Sequence, residues 1–123
     1  MINRITQGMI THEQSLNGNE LDVTLSFPTD SPIFAGHFAQ MPILAGAYQL
    51  LLCQHWAERL LNKRLRLKSI SKTRLSGLIL PNELFQIKMT ITSDSENSCL
   101  TLSCKIFKNK KRVAIATIKC KES

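Results

Sequence analysis

No apolar run in this chain approaches the ~20 residues that cross a membrane as a helix, so no membrane span is expected. Aromatic residues make up only 6% of it, with one Trp and one Tyr. They are not interleaved with basic residues, and a nucleic-acid groove needs rings on which bases can stack between phosphate-binding cations. The four cysteines, Cys53, Cys99, Cys104 and Cys120, show neither C-x-x-C spacing nor paired histidines, which argues against a metal site. They lie within apolar segments and read as buried free thiols. Repeats, low-complexity stretches and linkers are lacking as well. Met1 to Gln7 reads as a strand, without the apolar core of a secretory signal. The expectation is one domain spanning residues 1–123, located in the cytoplasm.

Acidic residues are also scarce: nine face sixteen lysines and arginines, for a net charge of +7. Cations gather at Arg59, Lys63, Arg64, Arg66, Lys68, Lys72 and Arg74, and again at Lys105, Lys108, Lys110, Lys111 and Arg112. Two readings stand at this point. One is solvated faces with a basic hairpin turn, and the other is a docking surface for an acidic partner.

What the chain does have is alternation. Leu21, Val23, Leu25 and Phe27 alternate with polar residues until Pro28. Phe85, Ile87, Met89 and Ile91 do the same, as do Leu100, Leu102, Cys104 and Ile106. These are half-buried strands. Val113 to Cys120 is apolar on both faces, the pattern of an interior strand. Asn17-Gly18-Asn19 reads as the turn joining the first two strands, and Lys108-Asn109-Lys110-Lys111 as the turn joining the last two.

One helix is expected between these regions, roughly from Pro42 to Lys63. It is apolar around most of its circumference, from Ile43 and Leu44 through Leu50, Leu51 and Leu52 to Trp56 and Leu60. Such a helix has to be wrapped. An α+β architecture follows, in which an antiparallel sheet of five to seven strands surrounds one central helix.

Just ahead of that helix lies the segment Phe34-Ala35-Gly36-His37-Phe38-Ala39-Gln40-Met41-Pro42-Ile43-Leu44-Ala45-Gly46. It sets an imidazole close to a helix start, where backbone N–H groups lack intrahelical partners. A base beside orphan donors suits the polarisation of a carbonyl and removal of a neighbouring proton.

Gly36-His37-Phe38 followed by Pro42-Ile43-Leu44-Ala45-Gly46 resembles the G-H-F-P-x-x-P-x-x-P-G segment of the hot-dog-fold β-hydroxyacyl-acyl-carrier-protein dehydratases. Within them, Pro42 to Gln49 is most similar to the aryl polyene dehydratase branch. Leu78 to Leu84 also looks like the strand-linking turn of that family. The resemblance implies a hot-dog fold paired into a dimer. It also implies a dehydratase of fatty acid or polyene biosynthesis, with an acyl thioester delivered on the pantetheine arm of an acyl carrier protein. No dissociable cofactor and no metal is implied. His37 takes the role of base, and the Gly46 N–H that of donor to the thioester carbonyl. Phe34 and Phe38 become candidate walls of an acyl tunnel. Arg59, Lys63, Arg64 and Arg66 become candidate docking residues for the acidic carrier.

The chain departs from the pattern at one decisive place. The family carries an Asp or Glu fourteen residues after the histidine, contributed across the dimer interface, and that position here is Leu51. The prolines of the turn are changed too, to Ala39 and Ala45, which removes two fixed φ angles from the loop that aims His37. His55 lies one helical turn beyond Leu51 and is the candidate substitute on the same face. Gln54 is a candidate to orient a water, whereas Glu58 is ~10 Å along the axis. His12 and His55 otherwise read as hydrogen-bonded structural histidines. Three expectations follow: a dehydratase in its own right as a homodimer, an acid-less partner of an acid-bearing paralogue, or a hot-dog thioesterase. The last is disfavoured because no carboxylate occurs between Pro42 and Gln54.

Overall fold

In a computed structural model, which describes residues 6–34, 46–94 and 99–122, the strands form a single antiparallel sheet. Strands β1 (Ile10–Asn17) and β2 (Glu20–Ser26) are followed by a short 3-10 turn at Pro32–Phe34. Helix α1 (Gly46–Leu61) then leads into β3 (Leu65–Leu75), β4 (Phe85–Asp94), β5 (Cys99–Lys108) and β6 (Lys111–Glu122). Their order across the sheet is β1-β2-β4-β5-β6-β3, so β1 and β3 are the edges.

The alternating segments behave as their periodicity requires. Leu21, Val23 and Leu25 of β2, Phe85 to Ile91 of β4, and Leu102, Cys104 and Ile106 of β5 turn one face to the core. Strand β6 buries Val113, Ala114, Ala116, Ile118 and Cys120 because it lies between β5 and β3. Leu52, Cys53, Trp56 and Ala57 of α1 are fully buried against this face, with Tyr48, Leu50, Leu51, Leu60 and Leu61 packed around them. The sheet therefore wraps the helix, as an α+β architecture with one central helix demands. Phe27 stacks on Phe85 at 6.3 Å and meets Phe34 edge-on at 6.4 Å, closing the end of the core beside the 3-10 turn.

Local chemistry sets the connections. Gly18 at φ 64° makes the β1–β2 turn. Asn109 and Lys110, at φ 53° and 65°, form a two-residue hairpin in which both central residues are left-handed, the twist that matches paired strands. At the β3–β4 connection, Asn82 takes φ 67°, its N–H donates to the Phe27 carbonyl at 2.7 Å, and Glu83 accepts from the Leu80 N–H at 2.8 Å. His12 sits at a bulge in β1 and pairs with the Ser26 hydroxyl at 2.8 Å.

Two expectations need correction. The N-terminal stretch is not a strand where it is described: Gly8 takes φ 84° and the Met9 N–H donates to the Thr6 carbonyl, forming a turn just ahead of β1. The basic stretch after the helix is not simply a charged surface. From Leu65 to Leu75 it is a strand, which the sequence pattern had not announced.

Three thiols, Cys53, Cys104 and Cys120, are buried, and Cys99 is half-buried. The Cys104 side chain, and then burial, push the Cys53 thiol well above its usual range, while burial pushes Cys120 up to about 11. Thiolates are the reactive form. A thiol reagent at mildly alkaline pH should therefore label Cys99 first, and the other three only on unfolding; mass mapping of the labelled sites checks this.

Gly77 fits closely against β6, since a Cβ there would lie 2.5 Å from a methyl of Val113. Gly77→Ala is expected to destabilise the fold by about 1–3 kcal/mol through overpacking, measured by thermal or denaturant unfolding.

Candidate functional site

Gly46, the expected carbonyl donor, is in α1 at the point where the described part of the helix begins. His37 and Phe38, the expected base and tunnel residue, lie outside the described residues. Phe34 lies in the core, edge-on to Phe27.

One and a half turns into the helix, Leu51 stands where a carboxylate is expected. It lines an apolar cavity of about 240 Å³ with Leu50, Gln54, Leu67, Ile70 and Ile118, between α1 and the β6–β3 edge of the sheet. Among the described residues the wall carries no carboxylate. A larger crevice of about 610 Å³ runs over the outer sheet face among polar side chains such as Asp22, Lys88, Ser103 and Lys105. It is separated from the helix by the sheet, so the smaller apolar cavity is the one relevant to α1.

The second half of α1 is tied to β3 through one residue's backbone. Gln54 donates its side-chain amide to the Leu65 carbonyl at 3.0 Å, and the Leu65 N–H donates to the Glu58 carboxylate at 2.8 Å. Glu58 therefore acts as a clamp on the start of β3, and the Gln54 amide binds the same backbone while its side chain also lines the cavity. Leu67 and Ile70, which complete the cavity wall, were not anticipated from sequence; Leu65 and Leu67 alternate, but the lysines and serines after them mask the strand.

His55 is half-buried and meets Trp56 edge-on at 5.9 Å. Burial, then the Arg59 guanidinium, lower its pKa below 6.5, against an opposing pull from Glu58. At pH 7 it is a neutral imidazole, able to donate a hydrogen bond but poor as a source of protons. Arg59 lies 4.6 Å above the Trp56 ring, a cation–π contact that holds it along the helix. The indole N–H of Trp56 is buried with no acceptor among the described residues. Lys63 pairs with Glu122 at 3.2 Å, both more than half exposed, so that pair contributes little to stability. Arg64 and Arg66 are exposed. All four candidate docking residues thus cluster where α1 ends and β3 begins.

The family model for the ApeI-like group, described as ApeI dehydratase, matches residues 12–117. The chain belongs to the ApeI-like dehydratase family. Among solved structures, it is similar to the dehydratase heterocomplex ApeI:P from Xenorhabdus doucetiae, at 21% identity and TM-score 0.70, over 92% of this chain and 96% of that one. An uncharacterised protein from Erwinia carotovora matches at 22% identity and TM-score 0.61, over 93% and 92% of the two chains. A hypothetical thioesterase with coenzyme A from Streptococcus pneumoniae TIGR4 matches at 12% identity and TM-score 0.68, over 95% and 87%. At such identities the likeness shows the fold, and the fold is the hot-dog fold. No curated protein matches the sequence.

In this ApeI-like chain the described residues of α1 combine a neutral histidine, His55, with an apolar wall at Leu51. The depressed pKa of His55 has a stability consequence. Below pH 6.5 the unfolded chain takes up a proton at this histidine before the folded chain does, so stability present above pH 6.5 is lost as pH falls. The melting temperature should fall between about pH 7 and pH 5, and His55→Gln should show a smaller fall.

Proposed function

We propose that this chain is the histidine-bearing member of a 3-hydroxyacyl-thioester dehydratase pair, taking its substrate from an acyl carrier protein. The observation that carries the proposal is Leu51. It lies in α1, five residues after Gly46, and faces an apolar cavity whose described wall residues include no carboxylate. Eliminating water from a 3-hydroxyacyl thioester needs two proton movements. A base takes the α-proton, charge builds on the carbonyl oxygen, and the departing hydroxyl must receive a proton to leave as water. His37 is the base in this reading, and the Gly46 N–H meets the carbonyl charge at a helix start. Leu51 supplies no proton, and a neutral His55 is a poor donor. The acid then comes from an acid-bearing paralogue across the interface, and the similar Xenorhabdus doucetiae protein, itself part of a dehydratase heterocomplex, supports this. The basic group at Arg59, Lys63, Arg64 and Arg66 receives the acidic carrier protein, so binding weakens as salt rises. Thioester hydrolysis is not favoured, because α1 carries no carboxylate before Glu58.

The test is turnover of a 3-hydroxyacyl thioester. The purified chain alone should dehydrate it slowly, and mixing with an acid-bearing ApeI-like paralogue should raise the rate. In that mixture His37→Ala should lower the rate by ~10²–10⁴. Rapid turnover by the chain alone, or a mixture indifferent to His37→Ala, would sink the proposal. Arg64→Glu should raise KM for the carrier-linked substrate several-fold, while KM for a short pantetheine thioester stays unchanged; equal effects on both would count against carrier docking.

A further inference from the structure

The second basic group of the chain, around Lys105 and Arg112, takes no part in the chemistry proposed above. In the sequence it is a charged hairpin; the register of the sheet gives it a shape. Arg74 of β3 pairs with Ile115 of β6, which pairs with Lys105 of β5. Phe107 pairs with Arg112 across a register shift that turns both Val113 and Ala114 into the core. Arg74, Ser76, Lys105, Phe107, Arg112 and Ile115 thereby line a crevice of about 380 Å³ on the outer face of the sheet. Lys108 is not part of it, being held by the Glu83 carboxylate at 3.2 Å.

The crevice has a half-buried apolar floor, Phe107 and Ile115, and a rim of exposed cations, Arg74, Lys105 and Arg112. Among the described residues no carboxylate lines it, and none of the three cations forms an ion pair. Like charges gathered on one face of a sheet repel, a cost that an anionic ligand would offset. The adjoining ground is different. The larger crevice shares Lys105 and Phe107 but also holds Glu20 and Asp22. Asp22 accepts from the Gln86 amide at 3.1 Å and lies 4.0 Å from the Lys88 ammonium. Charge is balanced toward β2 and unbalanced toward β3, which an even spread of solvated cations would not give.

The two arginines offer planar forks that match phosphate oxygens, and Lys105 adds a point charge. A phosphate alone would leave the floor uncovered, and the volume is that of a small-ligand pocket, ~300–1,000 Å³. A planar ring laid on Phe107 answers the floor. A polymer is a poor occupant. At ~4.8 Å per strand, β5, β6 and β3 span only about 10 Å. Beyond them stand Glu20 and Asp22 on one side and the sheet edge on the other.

The geometry points to a mononucleotide-binding site on the outer face of the sheet, with the base on Phe107 and the phosphates among Arg74, Lys105 and Arg112. The sheet separates it from the cavity that Leu51 lines, so it stands or falls independently of the dehydratase reading.

The probe is ADP, titrated into the full chain at ~0.05 M salt and followed by backbone amide NMR. Shifts should gather at Lys105, Phe107, Arg112 and Ile115 and should saturate. ADP should bind at least about tenfold tighter than adenosine, and Arg112→Glu should weaken it by at least about tenfold. Phe107→Leu should weaken ADP about fivefold or more while inorganic pyrophosphate stays within about twofold. ADP should also bind at least about fivefold tighter than pyrophosphate, which tests the ring even if Phe107→Leu does not fold by circular dichroism. Lys119→Glu makes the same charge change on β6 outside the crevice and should leave ADP binding within about twofold. Several outcomes would each overturn the inference: adenosine or pyrophosphate binding as tightly as ADP, or an oligothymidine strand binding about tenfold tighter than ADP. So would shifts centred on Arg59 to Arg66, an equal loss in Lys119→Glu, or no saturation by ~10 mM.

Discussion

The fold depends on covering the broadest apolar face of α1. The sheet packs on that face around Trp56, burying Leu52, Cys53, Trp56 and Ala57 completely, while Leu50, Leu51, Leu60 and Leu61 stay half-buried. The sheet bends about α1 because Leu52, Cys53, Trp56 and Ala57 need contacts from several strands at once. Polar groups of the helix are then usable only near its two ends. Toward the end, Gln54 and Glu58 reach out to the backbone of Leu65 and fix where the first edge residue begins. The middle of the helix, where Leu51 lies, is left in an apolar environment.

That division bears on chemistry. A carboxylate at position 51 would sit against Leu50, Leu67, Ile70 and Ile118, where burial would raise its pKa and keep it protonated, the condition for an acid. The surroundings suited to a proton donor are therefore present, while the donor is not. Two other titratable groups of α1 are engaged or unsuited, Glu58 by its hydrogen bond to Leu65 and His55 by the burial and neighbouring guanidinium that hold it neutral.

Much of this was legible in the sequence wherever a single period governed a segment. The alternation in β2, β4 and β5 named the core faces residue by residue, and the continuous apolar run of β6 identified a strand with neighbours on both sides. That Leu51 occupies the position where the family resemblance expects an acid was readable too, because it depends only on spacing from His37 along the chain. Strand β3 was not visible: two bulges break its period, and most of its side chains are polar because one side faces no strand. The turn at Gly8 was hidden by the apolar residues around it. The clamp on Leu65 joins groups whose pairing depends on how α1 lies on the sheet, which local patterns do not encode.

The order of strands carries one more consequence. β3 is made early in the chain, directly after α1, yet its neighbour in the sheet is β6, the final strand to emerge. During synthesis it waits through β4 and β5 with neither edge satisfied, at the stage when an exposed strand is most prone to join the wrong chain. Two arginines and two lysines spread along it act as gatekeepers in that interval, repelling identical nascent strands on neighbouring chains. The charge of β3 thus protects the chain while it folds.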